Sequence, residues 1–188
     1  MEFFSEYKFI FLALHLLAMA LGLGGATISD IMFFRFLRDL KISHFESSVL
    51  KTLSMIIWVG LGLAYISGIG LFLADPERLL ESSKFLLKIL VVLVITINGL
   101  FLNFYISPKL MKISFGKRHK HRDGELHYER KLAFAMGAIS ITSWYSAFVL
   151  GMMRGLPYSF LELLAGYLGL LLIAVWGGLV FEKVYNNR

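Results

Sequence analysis

The chain alternates between long apolar stretches and short polar ones, and five apolar stretches are long enough to cross a bilayer as helices. A spanning helix needs about 20 apolar residues, and the segments that qualify are residues 9–30, 53–74, 85–106, 132–153 and 159–181. The first is expected to continue as an amphipathic extension through Arg35 and Arg38. The pattern predicts an all-α fold, an integral membrane helical bundle of five transmembrane helices that forms a single domain over residues 1–188.

Composition supports a membrane location. Hydrophobic residues make up 57% of the chain and charged residues 17%, with a mean hydropathy of +0.71. So few charges cannot cover the water-facing surface of a soluble protein of this size. Cysteine is absent, which excludes disulfides, thiolate metal sites and cysteine nucleophiles. We expect a multi-pass protein of the cell (inner) membrane.

The distribution of basic residues predicts the orientation. Of the 19 Lys and Arg residues, 14 fall in the first connection, the third connection and the C-terminal tail. Because cytoplasmic loops carry an excess of Lys and Arg, this bias places the N-terminus outside and the C-terminus in the cytoplasm. The basic cytoplasmic loop 107–131 is expected to attract anionic lipid. The basic charge thus lies between apolar spans, and we expect membrane lipid and no nucleic acid as a partner.

Small residues predict where helices approach closely, because they let two backbones touch without a hydrophobic driving force. They cluster in the first two spans, at Ala18, Gly22, Gly24, Gly25, Gly60, Gly62, Gly68 and Gly70. We therefore expect these two spans to form the tightest pair, and the same faces offer a surface for a homo-oligomer. The Leu-rich fifth span, from Leu161 to Leu172, is expected to face lipid or another copy.

His15 is the only histidine inside any long apolar stretch, and Met19 follows one helical turn later. An ionisable group in hydrocarbon is costly and marks a candidate functional site. Further groups fall in the same half of a five-helix bundle, namely Lys88, Trp144, Tyr145, Met152 and Met153. Neutral imidazole and thioether ligands suit Cu(I) or a haem iron.

Each of these residues also has a possible structural role that involves no metal or haem. A histidine in a membrane helix is accounted for by a hydrogen bond to a neighbouring helix, and Met19 by ordinary packing. Lys88 lies at the edge of its span, where its aliphatic stem can lie along apolar surface while its ammonium group reaches the membrane–water interface.

A second polar level lies nearer the predicted cytoplasmic side. Asp30 and Asn98 stand out there, with Ser29, Thr96, Asn103 and Trp58 at similar depth. The two form a polar path if they line one passage. The alternative is that Asp30 pairs with Arg35 or Arg38, and that the Asn98 amide finds a partner on another helix.

The run Ala13-Leu14-His15-Leu16-Leu17, followed by Gly24-Gly25 and Phe33-Phe34-Arg35, resembles the first helix of two kinds of small membrane protein. These are the copper-resistance D (CopD) family and the HemJ-type protoporphyrinogen oxidases. The segment from Ser83 to Val91 is similar to their third helix. The resemblance implies a helical bundle that handles haem b or copper, with His15 as ligand and Lys88 in support. Gly22 and Asn98 stand where the HemJ type has tryptophan and histidine.

Three functions follow as hypotheses. The first is a haem-b-binding redox protein with His15 as axial ligand, Met152 or Lys88 completing the site, and Trp144 and Tyr145 flanking the haem. The second is a protein that transports copper or a small solute through His15, Met19, Met152 and Met153 and past Asn98 and Asp30. The third is a structural membrane subunit with no cofactor.

Overall fold

The computed structural model describes residues 2–36, 44–109, 127–153 and 157–186, and within these ranges every regular element is helical. The helices are α1 (Glu2–Glu6), α2 (Lys8–Phe36), α3 (His44–Ala74), α4 (Pro76–Leu80), α5 (Ser83–Phe101), α6 (His127–Met152) and α7 (Phe160–Asn186). One π-helical turn, Leu102–Ile106, continues α5. The predicted all-α fold is confirmed.

Among the described residues, five helices are long and apolar enough to cross a membrane, as predicted. They cover Lys8–Phe33, His44–Ala74, Ser83–Lys109, Lys131–Met152 and Phe160–Lys183. The second begins well before the predicted residue 53, because its first turns are polar and an apolar run does not reveal them. The extension of the first reaches Phe36. Arg38 and most of the basic loop 107–131, where lipid binding was predicted, lie outside the described residues.

Helices α2 and α3 form the antiparallel pair that the small residues predict. Gly60 lies so close to α2 that a Cβ atom there would stand 2.7 Å from the backbone nitrogen of Gly22. The ring of Phe11 packs directly on Gly70, and Ile57 packs on Gly25. By contrast, Gly24 and Gly62 would meet nothing within 4 Å, so these two glycines lie away from the interface.

The other helices close around this pair. Leu87, Val91 and Ile95 on one face of α5 are buried in a core that also holds Trp144 of α6 and Tyr167 of α7. Helix α7 is held mainly by α6, and the Tyr167 hydroxyl lies 2.8 Å from Ser143 Oγ. Most of its Leu-rich face is exposed, and that this face meets lipid or another copy stays a prediction.

His15 and Asp30 of α2 mark opposite ends of the bundle. The His15 end is where α2, α5 and α7 begin, and the Asp30 end is where α3 and α6 begin. At the His15 end, α1 is tied to α3 by a hydrogen bond from Ser5 Oγ to the Ala74 carbonyl. Lys8 and Arg78 both pair with Asp75 there, at 3.8 and 3.0 Å.

Candidate functional site

His15 faces α3, where it forms hydrogen bonds with the Ser67 side chain and with the backbone of Ala64. Its Nδ1 atom lies 2.9 Å from Oγ of Ser67, a fully buried residue. The Ser67 hydroxyl donates its own hydrogen to the Leu63 carbonyl at 2.6 Å, so it accepts from His15. The neutral imidazole therefore carries its proton on Nδ1 and keeps the lone pair on Nε2. The predicted hydrogen bond between His15 and a neighbouring helix is confirmed.

Lys88 and Lys84 lie near the end of α6. Lys88 is close enough to His15 for electrostatic interaction, and its Nζ atom would stand 3.8 Å from a Cβ at Gly151. Lys84 Nζ donates to the Met153 carbonyl at 2.7 Å. Both ammonium groups thus sit at the negative end of the α6 dipole, where cations are favoured. These contacts give the lysines a role in fixing α6 against α5.

The other groups predicted around His15 are spread over different surfaces. Trp144 is 2% exposed and packs on Gly22, about two turns or 10 Å along α2 from His15. Met152 is 66% exposed, and Tyr145 turns outward with its hydroxyl 3.5 Å from Thr27 Oγ1. Met153 is also exposed, whereas Met19 packs against the core. Among the described residues, no group of three or more His, Asp or Glu side chains is placed to hold a metal ion.

A cavity of about 180 Å³ lies at the Asp30 end between α2, α3, α5 with its π turn, and α6. Its polar lining comes from all four helices and consists of Ser29, Asp30, Ser47, Lys51, Ser54, Asn103, Ser107 and Ser140. Most of the remaining lining is apolar and includes the indole rings of Trp58 and Trp144. This Asp30 cavity is the place where the fold brings polar groups from separate helices together.

Asp30 is the acidic group of this cavity. Its Oδ2 atom is buried and has no hydrogen-bond partner, and its Oδ1 atom would lie 3.6 Å from a Cβ at Gly137 of α6. The predicted ion pair with Arg35 is wrong, since no ion pair joins these two described residues; Arg38 is not described. Helix α2 carries Asp30 inward at its last turns, while Arg35 is exposed. A buried carboxylate without a partner is costly, which marks it as a functional candidate.

Asn98 links α5 to the part of α6 that borders the cavity. Its side chain is 6% exposed, and Nδ2 donates to the Met136 carbonyl of α6 at 3.0 Å. The partner on another helix that the sequence led us to expect is therefore present. Met136 directly precedes Gly137, which faces Asp30, so Asn98 fixes the turn of α6 that borders the carboxylate without lining the cavity itself.

The π turn Leu102–Ile106 also shapes the cavity. It presents Asn103, whose Oδ1 accepts a hydrogen bond from Ser54 at 3.5 Å, and it precedes Pro108. A proline ring clashes with the carbonyl four residues earlier in a regular α-helix, so a wider turn suits this position. π turns occur frequently at functional sites. The sequence pattern predicts Ser29, Asn103 and Trp58 at the level of Asp30, but it reveals neither this turn nor the lining serines Ser47, Ser54, Ser107 and Ser140, because none of these changes the apolar periodicity.

Comparison with protein-family models, with curated proteins and with solved structures finds no match to this chain. The resemblance to the copper-resistance D and HemJ-type proteins therefore stays a prediction. The fold defines the class, a multi-pass membrane protein with five helices of spanning length and composition.

Proposed function

We propose that the protein binds a small polar solute inside the membrane and moves it across, with the Asp30 cavity as the binding site. The observation that carries this proposal is the buried, unpaired Oδ2 atom of Asp30 within a cavity built by four helices. Ionisable residues in membrane spans that face an internal cavity mark substrate and ion pathways. Ligand sites also form preferentially between the helices of bundles.

The packing between the two ends of the bundle supports the same proposal. Leu61 and Trp144 line the cavity and also belong to the buried core, which continues toward the His15 end through Val91 and Leu87. These side chains are almost fully buried, so the cavity is sealed on that side. Transporters alternate between states in which a fixed site is open to one side and closed to the other. In this proposal, the contact of Trp144 with Gly22 closes the cavity toward the His15 end in the conformation described here.

Cysteine accessibility tests transport without knowledge of the solute. The chain has no cysteine, so a Ser140→Cys variant carries one thiol, placed in the cavity. We expect a membrane-impermeant maleimide to label it both in right-side-out and in inverted vesicles, because the cavity opens to each side in turn. Labelling from one side alone would contradict transport and leave a static binding pocket.

The matched control is Gly62→Cys, which lies on the exposed face of α3 with nothing within 4 Å. A thiol facing lipid does not ionise, and the thiolate is the reactive form. We therefore expect no labelling of this variant from either side.

Haem b binding at His15 is a second candidate, favoured by the Ser67 hydrogen bond. Metal-ligating histidines almost always donate their other ring N–H to a neighbouring acceptor, which fixes the tautomer and the ring orientation. His15 has this arrangement, with Nε2 left to bind an iron. A bound haem would supply one-electron redox chemistry. The described residues do not enclose such a group, because Trp144 packs in the core and Met152 and Tyr145 face outward.

Visible absorption of the purified protein, oxidised and then reduced with dithionite, tests this candidate. Haem binding predicts a Soret band with α and β bands on reduction, all lost in His15→Ala. The Ser67→Ala variant should keep the bands but lower the affinity for haem, because the ring loses its orienting partner. A colourless protein from haem-replete cells would overturn the candidate.

A further inference from the structure

The charged side chains of the Asp30 cavity indicate the sign of the charge on its ligand. Among the described side chains that line it, the charged ones are Asp30 on α2 and Lys51 on α3, while α5 and α6 contribute neutral groups. Lys51 is exposed and forms no ion pair with Asp30. The buried part of the cavity therefore holds one uncompensated carboxylate. A carboxylate in such a place is stabilised by a proton or by a bound cation.

The remaining lining favours an organic cation over a metal ion. Ca²⁺ takes six to eight oxygen ligands, and Mg²⁺ requires a near-ideal octahedral shell of oxygens, usually with one or two carboxylates and bound phosphate groups. The cavity has one carboxylate, and no metal-binding group of three acidic or histidine side chains occurs in the described ranges. It does have two indole rings, Trp58 and Trp144. Aromatic faces attract alkylammonium cations, which carry a diffuse charge on an apolar surface.

We infer that the Asp30 cavity binds a small organic cation, a quaternary ammonium or a protonated amine, in place of a proton on the Asp30 carboxyl group. The inference rests on the proposed transport function and names its substrate class. The proton leaves to water as the cation binds, so the total charge at the carboxylate is conserved. The cavity volume of about 180 Å³ limits the ligand to a small molecule.

The probe for binding is N-methylpyridinium, which quenches indole fluorescence. Trp176 is exposed on α7, far from the core, so a Trp176→Phe background leaves Trp58 and Trp144 as the emitting residues. We expect saturable quenching in detergent at neutral pH. Tetramethylammonium does not quench and should reverse the effect by competition. The apparent Kd should rise as the pH falls, by up to about tenfold per pH unit for one competing proton.

The matched variants are Asp30→Asn and Glu77→Gln. Both replace a carboxylate by an amide of the same shape, but Glu77 is exposed on α4 at the opposite end of the bundle. Glu77→Gln should bind the probe as the background protein does, and Asp30→Asn should bind at least tenfold more weakly. Equal quenching in Asp30→Asn and Glu77→Gln would overturn the inference.

A second measurement needs no variant at Asp30. Saturating tetramethylammonium added to weakly buffered protein should release about half a proton per chain at the pH at which the free carboxyl group is half protonated, and up to about one proton per chain at lower pH. Absence of proton release at every pH between 5 and 8, together with no competition against the probe, contradicts the inference. If Ser140→Cys is nevertheless labelled from both sides, transport stands and the substrate class is wrong. If the probe binds but Ser140→Cys is labelled from one side alone, the cation site is supported and the proposed transport is contradicted.

Discussion

At the scale of single residues, Asp30 and Asn98 differ in whether their side chains have partners. The Nδ2 atom of Asn98 donates to the Met136 carbonyl on another helix, while the buried Oδ1 atom of Asn98, like the Oδ2 atom of Asp30, has no partner. A hydrogen bond between membrane helices stabilises, while an unpaired buried carboxylate costs free energy. The first side chain therefore contributes to holding the bundle together, and the second is the group to which we assign the ligand.

Stability measurements separate these two roles. Asn98→Ala should lower the free energy of unfolding by about 1 kcal/mol, the size of an interhelical hydrogen bond in a membrane. Asp30→Asn should leave it unchanged or raise it, because an amide of the same shape needs neither a proton nor a bound cation to stay neutral in this buried place. The check is unfolding of both variants in mixed detergent micelles. A larger loss for Asp30→Asn than for Asn98→Ala would show that Asp30 is structural.

The sequence places both residues at the same depth but cannot assign these roles. Asp30 lies little more than one helical turn before Arg35, and that spacing suggested an ion pair that these two described residues do not form. The direction of each side chain depends on how its helix is rotated in the bundle. That rotation is set by contacts with helices far away in the sequence.

At the scale of the helices, the glycines of α2 and α3 show which features of helix packing the sequence can predict and which it cannot. Residues two apart on a helix point in nearly opposite directions, so Gly22 and Gly24 cannot both face α3. The structure places Gly22 and Gly60 in the contact and leaves Gly24 and Gly62 outside it. The small residues thus predict the pair of helices correctly, but only the packed structure shows which glycine of each pair is used.

Substitution of Gly60 tests this contact. Gly60→Ala would bring Cβ within 2.7 Å of the Gly22 nitrogen and 3.0 Å of the Ala18 carbonyl oxygen, and neither backbone atom can move freely. We expect a loss of about 1–3 kcal/mol from overpacking. Gly62→Ala is the control, with nothing within 4 Å, and should change thermal stability little. Equal melting temperatures for both variants would contradict the close contact between α2 and α3.

Tyr167 anchors the most exposed helix. The Ser143 hydroxyl donates to the Ile139 carbonyl, so it accepts the hydrogen of the Tyr167 hydroxyl. Tyr167→Phe removes this bond between α6 and α7 and should cost about 0.5–1.5 kcal/mol. Tyr158→Phe, at an exposed position before α7, is the control and should cost nothing measurable. Thermal unfolding followed by circular dichroism checks both; no difference between them would contradict the anchoring role.

At the scale of the whole molecule, hydropathy predicts the number of spans because each must be apolar over its length. The cavity is not predictable in this way. Ser47, Ser54 and Ser140 are ordinary residues in apolar helices, and they become a site only when α3 and α6 meet beside Asp30. The orientation in the membrane remains a prediction from the positive-inside bias.

Labelling of single cysteines tests that orientation. Ser48→Cys lies at the exposed Asp30 end of α3, and Tyr158→Cys lies at the His15 end between α6 and α7. With the N-terminus outside, an impermeant maleimide should label Tyr158→Cys in right-side-out vesicles and Ser48→Cys in inverted ones. The reverse pattern would place the Asp30 cavity on the outer face.

The most direct measurement follows proton movement in proteoliposomes that contain a pH-sensitive dye in the lumen. Tetramethylammonium added outside should raise the luminal pH in vesicles with wild-type protein, because each entering cation is exchanged for a proton at Asp30. Vesicles with Glu77→Gln should respond equally, and those with Asp30→Asn should behave like empty liposomes. No pH change with the wild type, or an equal change with Asp30→Asn, would contradict cation exchange at the Asp30 cavity.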